Sequence, residues 1–112
     1  MARTNTLNTG ELTDTTYYIL LNLMKPSHGY MIMQNVEKLT NGEFLIGAGS
    51  LYTTLKKLLD ADLIKMIKYQ EGNKKTYVIT DKGLGMIKDE VNRKKEMVHH
   101  AEIILREREE LK

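Results

Sequence analysis

The sequence lacks several residue types that small proteins use to stabilise a fold. Its 112 residues include no cysteine, no tryptophan and a single proline, Pro26. Without cysteine the chain cannot form a disulfide scaffold, a cysteine-ligated zinc site or a thiol nucleophile. Such a chain suits a reducing compartment, so we expect a cytoplasmic protein. The scarcity of proline, together with many Leu, Ile, Met, Lys and Glu residues, favours a helical fold.

Long apolar segments are absent as well. The longest apolar run, Tyr17–Leu21, is far shorter than the roughly 20 residues that a membrane-spanning helix requires. Residues 1–11 contain one arginine and no apolar core, so we expect a flexible polar arm and not a signal peptide. A length of 112 residues allows one domain with a modest core.

The net charge is small but unevenly distributed along the chain. The 17 basic and 15 acidic residues leave +2, which excludes a strongly basic tail and an acidic disordered segment. Residues 50–80 nevertheless hold six lysines against three acidic residues, whereas residues 81–112 are balanced. The positive excess therefore lies in the middle third of the chain.

Apolar spacing and capping residues predict three short helices in the first 61 residues. The first begins near Thr13 or Asp14 and is stopped by Pro26, which lacks a backbone N–H and disfavours helix in the preceding residue. The other two span residues 28–40 and 51–61, and their predicted N-caps are Ser27 and Ser50. Each cap would accept a backbone N–H bond at its helix start.

Three segments have the composition of β-strands. Phe44–Ile46 is a short β-type run, and residues 64–69 and 75–80 are rich in Ile, Val, Tyr and Thr. Between the last two, Gly72 and Asn73 tolerate the positive φ that a hairpin turn requires. We therefore expect a hairpin with a basic connecting loop.

A long amphipathic helix is predicted over residues 81–110, with Asp81 as its cap. At 1.5 Å per residue such a helix is about 45 Å long, which exceeds a domain of this size. Its apolar positions follow a heptad pattern: Leu84, Ile87, Val91, Val98, Ala101 and Leu105. The helix can fold back on its own domain, or its outer part can pair with a second copy. We expect a homodimer through this stripe.

Lys94 occupies the seam position that the heptad pattern skips. A lysine there can fix the register of two paired helices, or it can face a cavity between subunits and contact an effector. It can also extend along the stripe until its ammonium group reaches water. The sequence leaves these three roles open.

The order of elements predicts a winged helix-turn-helix in a mainly α (α+β) fold. We expect this domain at residues 12–80 and a dimerisation helix at residues 81–112. A helix of this kind fits the major groove of B-DNA, where its outward side chains reach base edges and phosphates. A basic hairpin beside it can neutralise adjacent phosphates.

The candidate DNA contacts lie on the third helix and the hairpin. They are Ser50, Tyr52, Thr53, Lys56 and Lys57 on the helix, and Lys74 and Lys75 at the wing tip with Lys68 and Tyr77 in support. Taken alone, a pair of adjacent lysines is usually a solvated surface, and Tyr52 is as readily a packing residue. The combination of helix order, capping and a basic hairpin favours DNA binding.

The sequence offers little for metal binding or catalysis. Glu96 and His100 are four residues apart, and His99 is adjacent, but this spacing is common on surface helices. Gly47 and Gly49 lead into a helix without the rest of a nucleotide-binding fingerprint. We expect no cofactor, no metal and no enzymatic activity.

Four motifs occur in a fixed order along the chain: Pro26–Tyr30 (PSHGY), Gly49–Leu58 (GSLYTTLKKL), Leu63–Ile64 (LI) and Lys75–Gly83 (KTYVITDKG). Together they resemble the PadR family of bacterial transcriptional regulators, and the resemblance covers about residues 12–110. The single last helix resembles that of the family's smaller subfamily. Where the family usually has glycine before "LI", this chain has Asp62, a residue that tolerates left-handed backbone geometry.

The resemblance implies a dimeric winged-helix repressor of the kind that controls detoxification or efflux genes. It places Tyr30 at the start of the second helix, where the ring can contact a backbone phosphate or pack. It also implies a small aromatic or hydrophobic effector held between subunits. Members that bind flat aromatic drugs use a tryptophan of the last helix, whereas this chain carries Lys94 near that position and no tryptophan.

Three hypotheses follow. The first is a homodimeric, cytoplasmic, operator-binding repressor that a small effector releases. The second is a winged helix that serves as a protein-interaction module without DNA binding. The third is an enzyme, which the absence of a catalytic set disfavours.

Overall fold

The computed structural model describes residues 12–68 and 75–111. In these ranges the chain forms four α-helices and a three-stranded antiparallel sheet. The elements are α1 (Asp14–Asn22), β1 (Ser27–His28), α2 (Gly29–Leu39), α3 (Ala48–Asp60), β2 (Ile64–Lys68), β3 (Lys75–Ile79) and α4 (Asp81–Glu110). The sheet order is β1-β3-β2. The predicted fold class, a mainly helical winged helix-turn-helix with a long last helix, is confirmed.

Helix α1 begins where the sequence predicts. Thr13 is its N-cap, and the Thr13 Oγ1 atom accepts a hydrogen bond of 3.2 Å from the backbone N–H of Thr16. The helix ends at Asn22, before Pro26. Ile19 and Leu20 are fully buried on it, so the helix lies in the middle of the core.

The predicted cap of α2 is wrong by one residue. Ser27 and His28 form the short strand β1, in which Ser27 is paired with Tyr77 of the wing. The helix therefore starts at Gly29, and the Nδ1 atom of His28 accepts the capping bond from Met31 N–H at 3.5 Å. At the other end, Asn41 and the following glycine adopt positive φ and stop the helix, as predicted.

The predicted strand at Phe44–Ile46 is wrong, because these residues form a loop. The backbone N–H of Phe44 bonds to the Oγ1 atom of Thr40 at 3.0 Å, so no neighbouring strand is needed to satisfy it. The Phe44 ring packs on Tyr18 with a 5.0 Å centroid distance, and Ile46 is buried. The apolar run therefore closes the core as a loop.

Helix α3 begins three residues before the predicted start. Its N-cap is Gly47, which makes no side-chain capping bond, so the prediction that Ser50 caps the helix is wrong. Ser50 lies instead in the first turn and is exposed. The helix ends at Asp60, and Asp62 adopts a φ of 61°, the left-handed geometry predicted for this position.

The predicted hairpin is confirmed at β2 and β3. The two strands pair from Ile64 with Ile79 to Lys68 with Lys75. Strand β1 adds to the other side of β3, so the start of α2 is hydrogen-bonded to the wing. The connecting residues 69–74, with Lys74, lie outside the described residues, and so does the side chain of Lys68.

Helix α4 starts against the hairpin through a tight glycine contact. Thr80, and not Asp81 as predicted, is the N-cap: its Oγ1 atom accepts from Gly83 N–H at 3.1 Å and donates to the Asp62 carbonyl at 2.8 Å. A methyl group at Gly83 would collide with the carbonyl oxygen of Leu63. Because Gly83 has no side chain, the first turn of α4 packs directly on the backbone of the turn that joins α3 to β2.

The core is formed by apolar side chains from all four helices and the sheet. Its fully buried members include Ile19, Leu20, Leu23, Ile32, Val36, Leu51, Leu55, Leu58 and Leu63. Helix α4 contributes Ile87 in its first half, whereas its second half extends away from this core and is exposed. In the described parts of the chain, no helix is long and apolar enough to cross a membrane.

Candidate nucleic-acid interface

Helix α3 presents one buried face and one exposed polar face. Leu51, Leu55 and Leu58 point into the core, while the opposite side carries four exposed residues of the predicted DNA site: Tyr52, Thr53, Lys56 and Lys57. The spacing of the leucines fixes which side faces solvent. Contact of these four residues with DNA remains a prediction.

The ammonium group of Lys56 is only weakly held. It lies 3.5 Å from the Asp60 carboxylate one turn along α3, and both side chains are largely exposed. Exposed pairs of this kind contribute about 0–1 kcal/mol because water and salt screen them. A phosphate can therefore replace Asp60 as the partner of Lys56 at little cost.

The start of α2 lies next to this face. Tyr30 is exposed there, and its hydroxyl accepts a hydrogen bond of 3.3 Å from the Gln34 side-chain amide. The neighbouring Gly29 is buried because the Tyr52 hydroxyl covers it. The structure thus brings Tyr30 and Tyr52, which are far apart in the sequence, to the same end of the domain.

Tyr77 does not lie on the wing surface, and its predicted role in DNA binding is corrected. Its side chain is 5% exposed and belongs to the core. Burial raises the pKa of the Tyr77 hydroxyl, and the nearby Tyr52 phenol raises it further. β3 is the central strand of the sheet, and the adjacent Thr76 is buried as well, so alternation along the strand does not predict the burial of Tyr77.

The wing supplies positive charge at the outer end of the hairpin. Lys68 and Lys75 are cross-strand partners, so two lysine positions share one rung of the ladder, and the Lys75 side chain is exposed. Lys65 on β2 is exposed as well and was missed as a candidate. The sequence did place Lys65 in the lysine-rich middle third of the chain, which could have marked it as a candidate DNA contact.

The heptad stripe of α4 has two different environments. Ile87 is buried in the core of its own chain, so its assignment to a dimer interface is corrected. Leu84 and Val91 are half-buried. Val98 and Leu105 are 57% and 62% exposed, and Ala101 between them is exposed too. Their role in dimerisation remains a prediction.

The Lys94 side chain contacts two residues of its own chain, Glu90 and Tyr17. Its Nζ atom lies 3.2 Å from Glu90 Oε2 and 5.1 Å from the centroid of the Tyr17 ring on α1. A lysine over a tyrosine face gains a cation–π attraction. Lys94 therefore ties α4 to α1, which the sequence did not suggest.

Glu90 is the buried charge that sequence reasoning missed. Its side chain is 0% exposed, and Arg93 donates two hydrogen bonds to it, at 3.0 Å and 2.8 Å. The Arg93 bonds lower the pKa of Glu90, Lys94 lowers it further, and burial acts in the opposite direction. The i, i+3 and i, i+4 spacing of these charges was visible in the sequence. The burial was not visible, because it depends on packing.

The two adjacent histidines of α4 were considered as metal ligands from the sequence. His99 and His100 are exposed on α4, with ring centroids 6.4 Å apart. No group of three or more His, Cys, Asp or Glu side chains within residues 12–68 and 75–111 could hold a metal ion.

The chain is a winged-helix protein, because helices α1 to α3 are followed by an antiparallel hairpin to which β1 adds a third strand. The sequence profile described as "Transcriptional regulator PadR-like family" matches residues 19–89. The chain therefore belongs to the PadR-like family of transcriptional regulators. This confirms the predicted family and the prediction that the protein is not an enzyme.

Three known proteins show how far the similarity extends. A PadR-like transcription factor from Bacteroides fragilis superimposes with a TM-score of 0.65 at 28% identity, over 80% of this chain and 87% of that one. Bacillus subtilis PadR, solved in complex with operator DNA, gives a TM-score of 0.60 at 28% identity, over 70% of this chain and 47% of that one. A Clostridium thermocellum regulator gives 0.68 at 23% identity, over 94% and 97% of the two chains, and shows the fold alone.

One curated relative matches at higher identity over a shorter stretch. The transcriptional regulator YqjI of Escherichia coli is 39% identical over 57 residues, which cover 51% of this chain. The same stretch covers 27% of that relative, so the chain spans about a quarter of its length.

Proposed function

We propose that the protein is a homodimeric, cytoplasmic DNA-binding regulator that represses transcription and is released by a small effector. The observation that carries the proposal is the exposed face of α3, with Tyr52, Thr53, Lys56 and Lys57, beside a lysine-bearing hairpin. The PadR protein of B. subtilis, which shares this fold, was solved on operator DNA. The positive excess of residues 50–80 falls in the same part of the chain, which comprises most of α3 and the hairpin.

Dimerisation is supported by the outer half of α4. Val98 and Leu105 form an exposed apolar stripe on a helix that extends past its own core. Such a stripe is stabilised when a second copy covers it, and a two-fold axis would place two α3 helices for adjacent half-sites of DNA. The proposed division is a DNA-binding domain at residues 12–80 and a dimerisation helix at residues 81–112.

The position of α4 supports the proposed release by an effector. This helix packs on the DNA-binding domain at one end and carries the dimer stripe at the other. A small aromatic or hydrophobic compound bound between subunits would change the distance between the two α3 helices and lower DNA affinity. Lys94 and Tyr17 lie where the two halves of the helix meet and are the proposed contacts.

The proposal is tested by selecting bound fragments from random double-stranded DNA and titrating the best fragment against salt. A dimer that contacts about eight phosphates should give a slope of log K against log salt concentration near −7. The absence of retained DNA, or of salt dependence, would contradict DNA binding. That outcome would favour the protein-interaction alternative.

The α3 assignment is tested by replacing both Lys56 and Lys57 with alanine. We expect affinity for the selected fragment to fall by about 10- to 100-fold, because two candidate base or phosphate contacts are lost. The matched control replaces Lys88 and Lys95, two exposed lysines of α4, and removes the same charge. Equal losses in the two double variants would contradict a specific role for α3.

A further inference from the structure

Tyr52 is on the exposed face of α3, yet the tip of its side chain is engaged by another element. Its Oη atom covers Gly29, the first residue of α2. A methyl group built at Gly29 would lie 2.6 Å from that oxygen, 3.0 Å from Cζ and 3.1 Å from Cε1. These distances are shorter than carbon contacts at van der Waals separation. The tyrosine ring therefore packs on a bare Cα.

This contact joins three elements at one place. Gly29 directly follows β1, in which Ser27 is paired with Tyr77 of the wing strand β3. Tyr77 itself is buried, which raises the pKa of its hydroxyl, and the Tyr52 phenol raises that pKa further. Tyr52 thus connects α3 to the start of α2, and through β1 to the wing.

Gly29 has no conformational reason to be glycine. Its neighbour His28 is extended, and Gly29 begins a regular helix. Glycine is unfavourable in such a position relative to alanine. By contrast, Gly85 on α4 has nothing within 4 Å of a built methyl group. What distinguishes Gly29 is the ring above it.

We infer that Tyr52 is a positioning residue, whose ring rests on Gly29 and fixes the placement of α3 relative to α2 and the wing for sequence-specific DNA binding. The inference rests on the proposed function and deepens it. Gly29 and Tyr52 form a matched pair: the missing side chain of one accommodates the aromatic ring of the other. A wider residue at position 29 pushes the ring outward without disturbing the leucine core.

The test compares Gly29→Ala, Tyr52→Ala, Tyr52→Phe and the double variant Gly29→Ala/Tyr52→Ala. Each is titrated with the DNA fragment that the wild-type protein selects from random sequence, and with a scrambled fragment of equal length. Gly85→Ala is the control for a glycine with open space around it. Thermal unfolding monitored by circular dichroism checks that every variant folds.

We expect Gly29→Ala and Tyr52→Ala each to lower the ratio of specific to scrambled affinity by about tenfold. Tyr52→Phe keeps Cζ and Cε1 over Gly29 and should stay within about threefold of wild type. In the double variant the loss should be no larger than that of Tyr52→Ala alone, because the added methyl group then meets no ring.

Three outcomes would overturn the inference. If the losses of the two single variants multiply in the double variant, the residues act independently and Tyr52 does not work through Gly29. If Tyr52→Phe loses as much as Tyr52→Ala while Gly29→Ala binds like wild type, the hydroxyl acts on DNA directly and not through its contact with Gly29. If wild-type protein selects no DNA, the proposed function fails and the inference fails with it, whereas the first two outcomes leave DNA binding intact.

Discussion

The two halves of α4 share one heptad stripe but have opposite surroundings. The inner half buries Gly83, Ile87 and Glu90 against the domain of its own chain, whereas Val98 and Leu105 of the outer half are more than half exposed. The sequence period is the same on both sides of Lys94. A heptad stripe therefore shows which face of a helix is apolar but not which chain covers that face.

The difference also divides the expected consequences of mutation. Changes in the inner half should act on the free energy of unfolding of a single chain. Changes in the outer half should act on association between chains and leave the fold of each chain in place.

The largest effect is expected at the buried end of the stripe. Ile87→Ala should lower the free energy of unfolding by about 2–4 kcal/mol, because it leaves a cavity among packed core side chains. The measurement is urea unfolding followed by circular dichroism at several protein concentrations. A loss that grows on dilution would show that Ile87 acts at a dimer interface after all.

A large effect on association is expected in the outer half. Val98→Glu combined with Leu105→Glu should weaken the dimer by more than about 100-fold, because four carboxylates would meet across a two-fold apolar seam. Sedimentation velocity measures the change, and circular dichroism should show unchanged helix content. Glu102→Gln, an exposed position of the same segment, is the control. A double variant that sediments like wild type would exclude this stripe as the interface.

The smallest effect is expected at the boundary between the halves. Glu90→Gln removes a buried carboxylate that Arg93 and Lys94 hold, and should cost about 2 kcal/mol near neutral pH. Because the pKa of Glu90 is lowered in the folded chain, its contribution is present above the ordinary carboxyl pKa. The contribution is lost as the pH falls through the lowered value.

The readout for Glu90 is the difference in the free energy of unfolding between wild type and Glu90→Gln, measured from pH 7 downwards. The difference should shrink as the medium becomes acidic. Asp60→Asn removes the exposed partner of Lys56 and should change the free energy of unfolding by less than about 0.5 kcal/mol. A pH-independent difference at Glu90 would mean that the charge network does not stabilise this junction.

Local signals predicted the elements whose ends depend on neighbouring residues. Thr13 caps α1 because its hydroxyl reaches a backbone N–H three residues away. Asp62 adopts a positive φ in the turn after α3, as expected of a residue that tolerates left-handed geometry. The hairpin strands also follow from composition alone, since β-branched residues flank a turn that can take positive φ.

The predictions that failed concern residues whose structure depends on contacts between distant parts of the chain. Ser27 is a good cap by itself, but pairing with Tyr77, fifty residues later in the chain, draws it into a strand. Tyr77 was expected at the surface, but it lies on the central strand of the sheet, where the adjacent Thr76 is buried too. The burial of the Glu90 side chain depends on how α4 packs on α1, where Lys94 lies over the Tyr17 ring. The exposed face of α3 was therefore predictable from the sequence, whereas the burial of Tyr77 on the wing was not.

The central claim is that two copies of this chain bind one DNA site through α3 while joined by the outer half of α4. The most direct measurement is the stoichiometry of the complex with the selected fragment, by sedimentation equilibrium at protein concentrations around the binding midpoint. We expect two chains per duplex, and we expect affinity for the fragment to fall when Val98 and Leu105 are replaced by glutamate. One chain per duplex with unchanged affinity in that variant would contradict it.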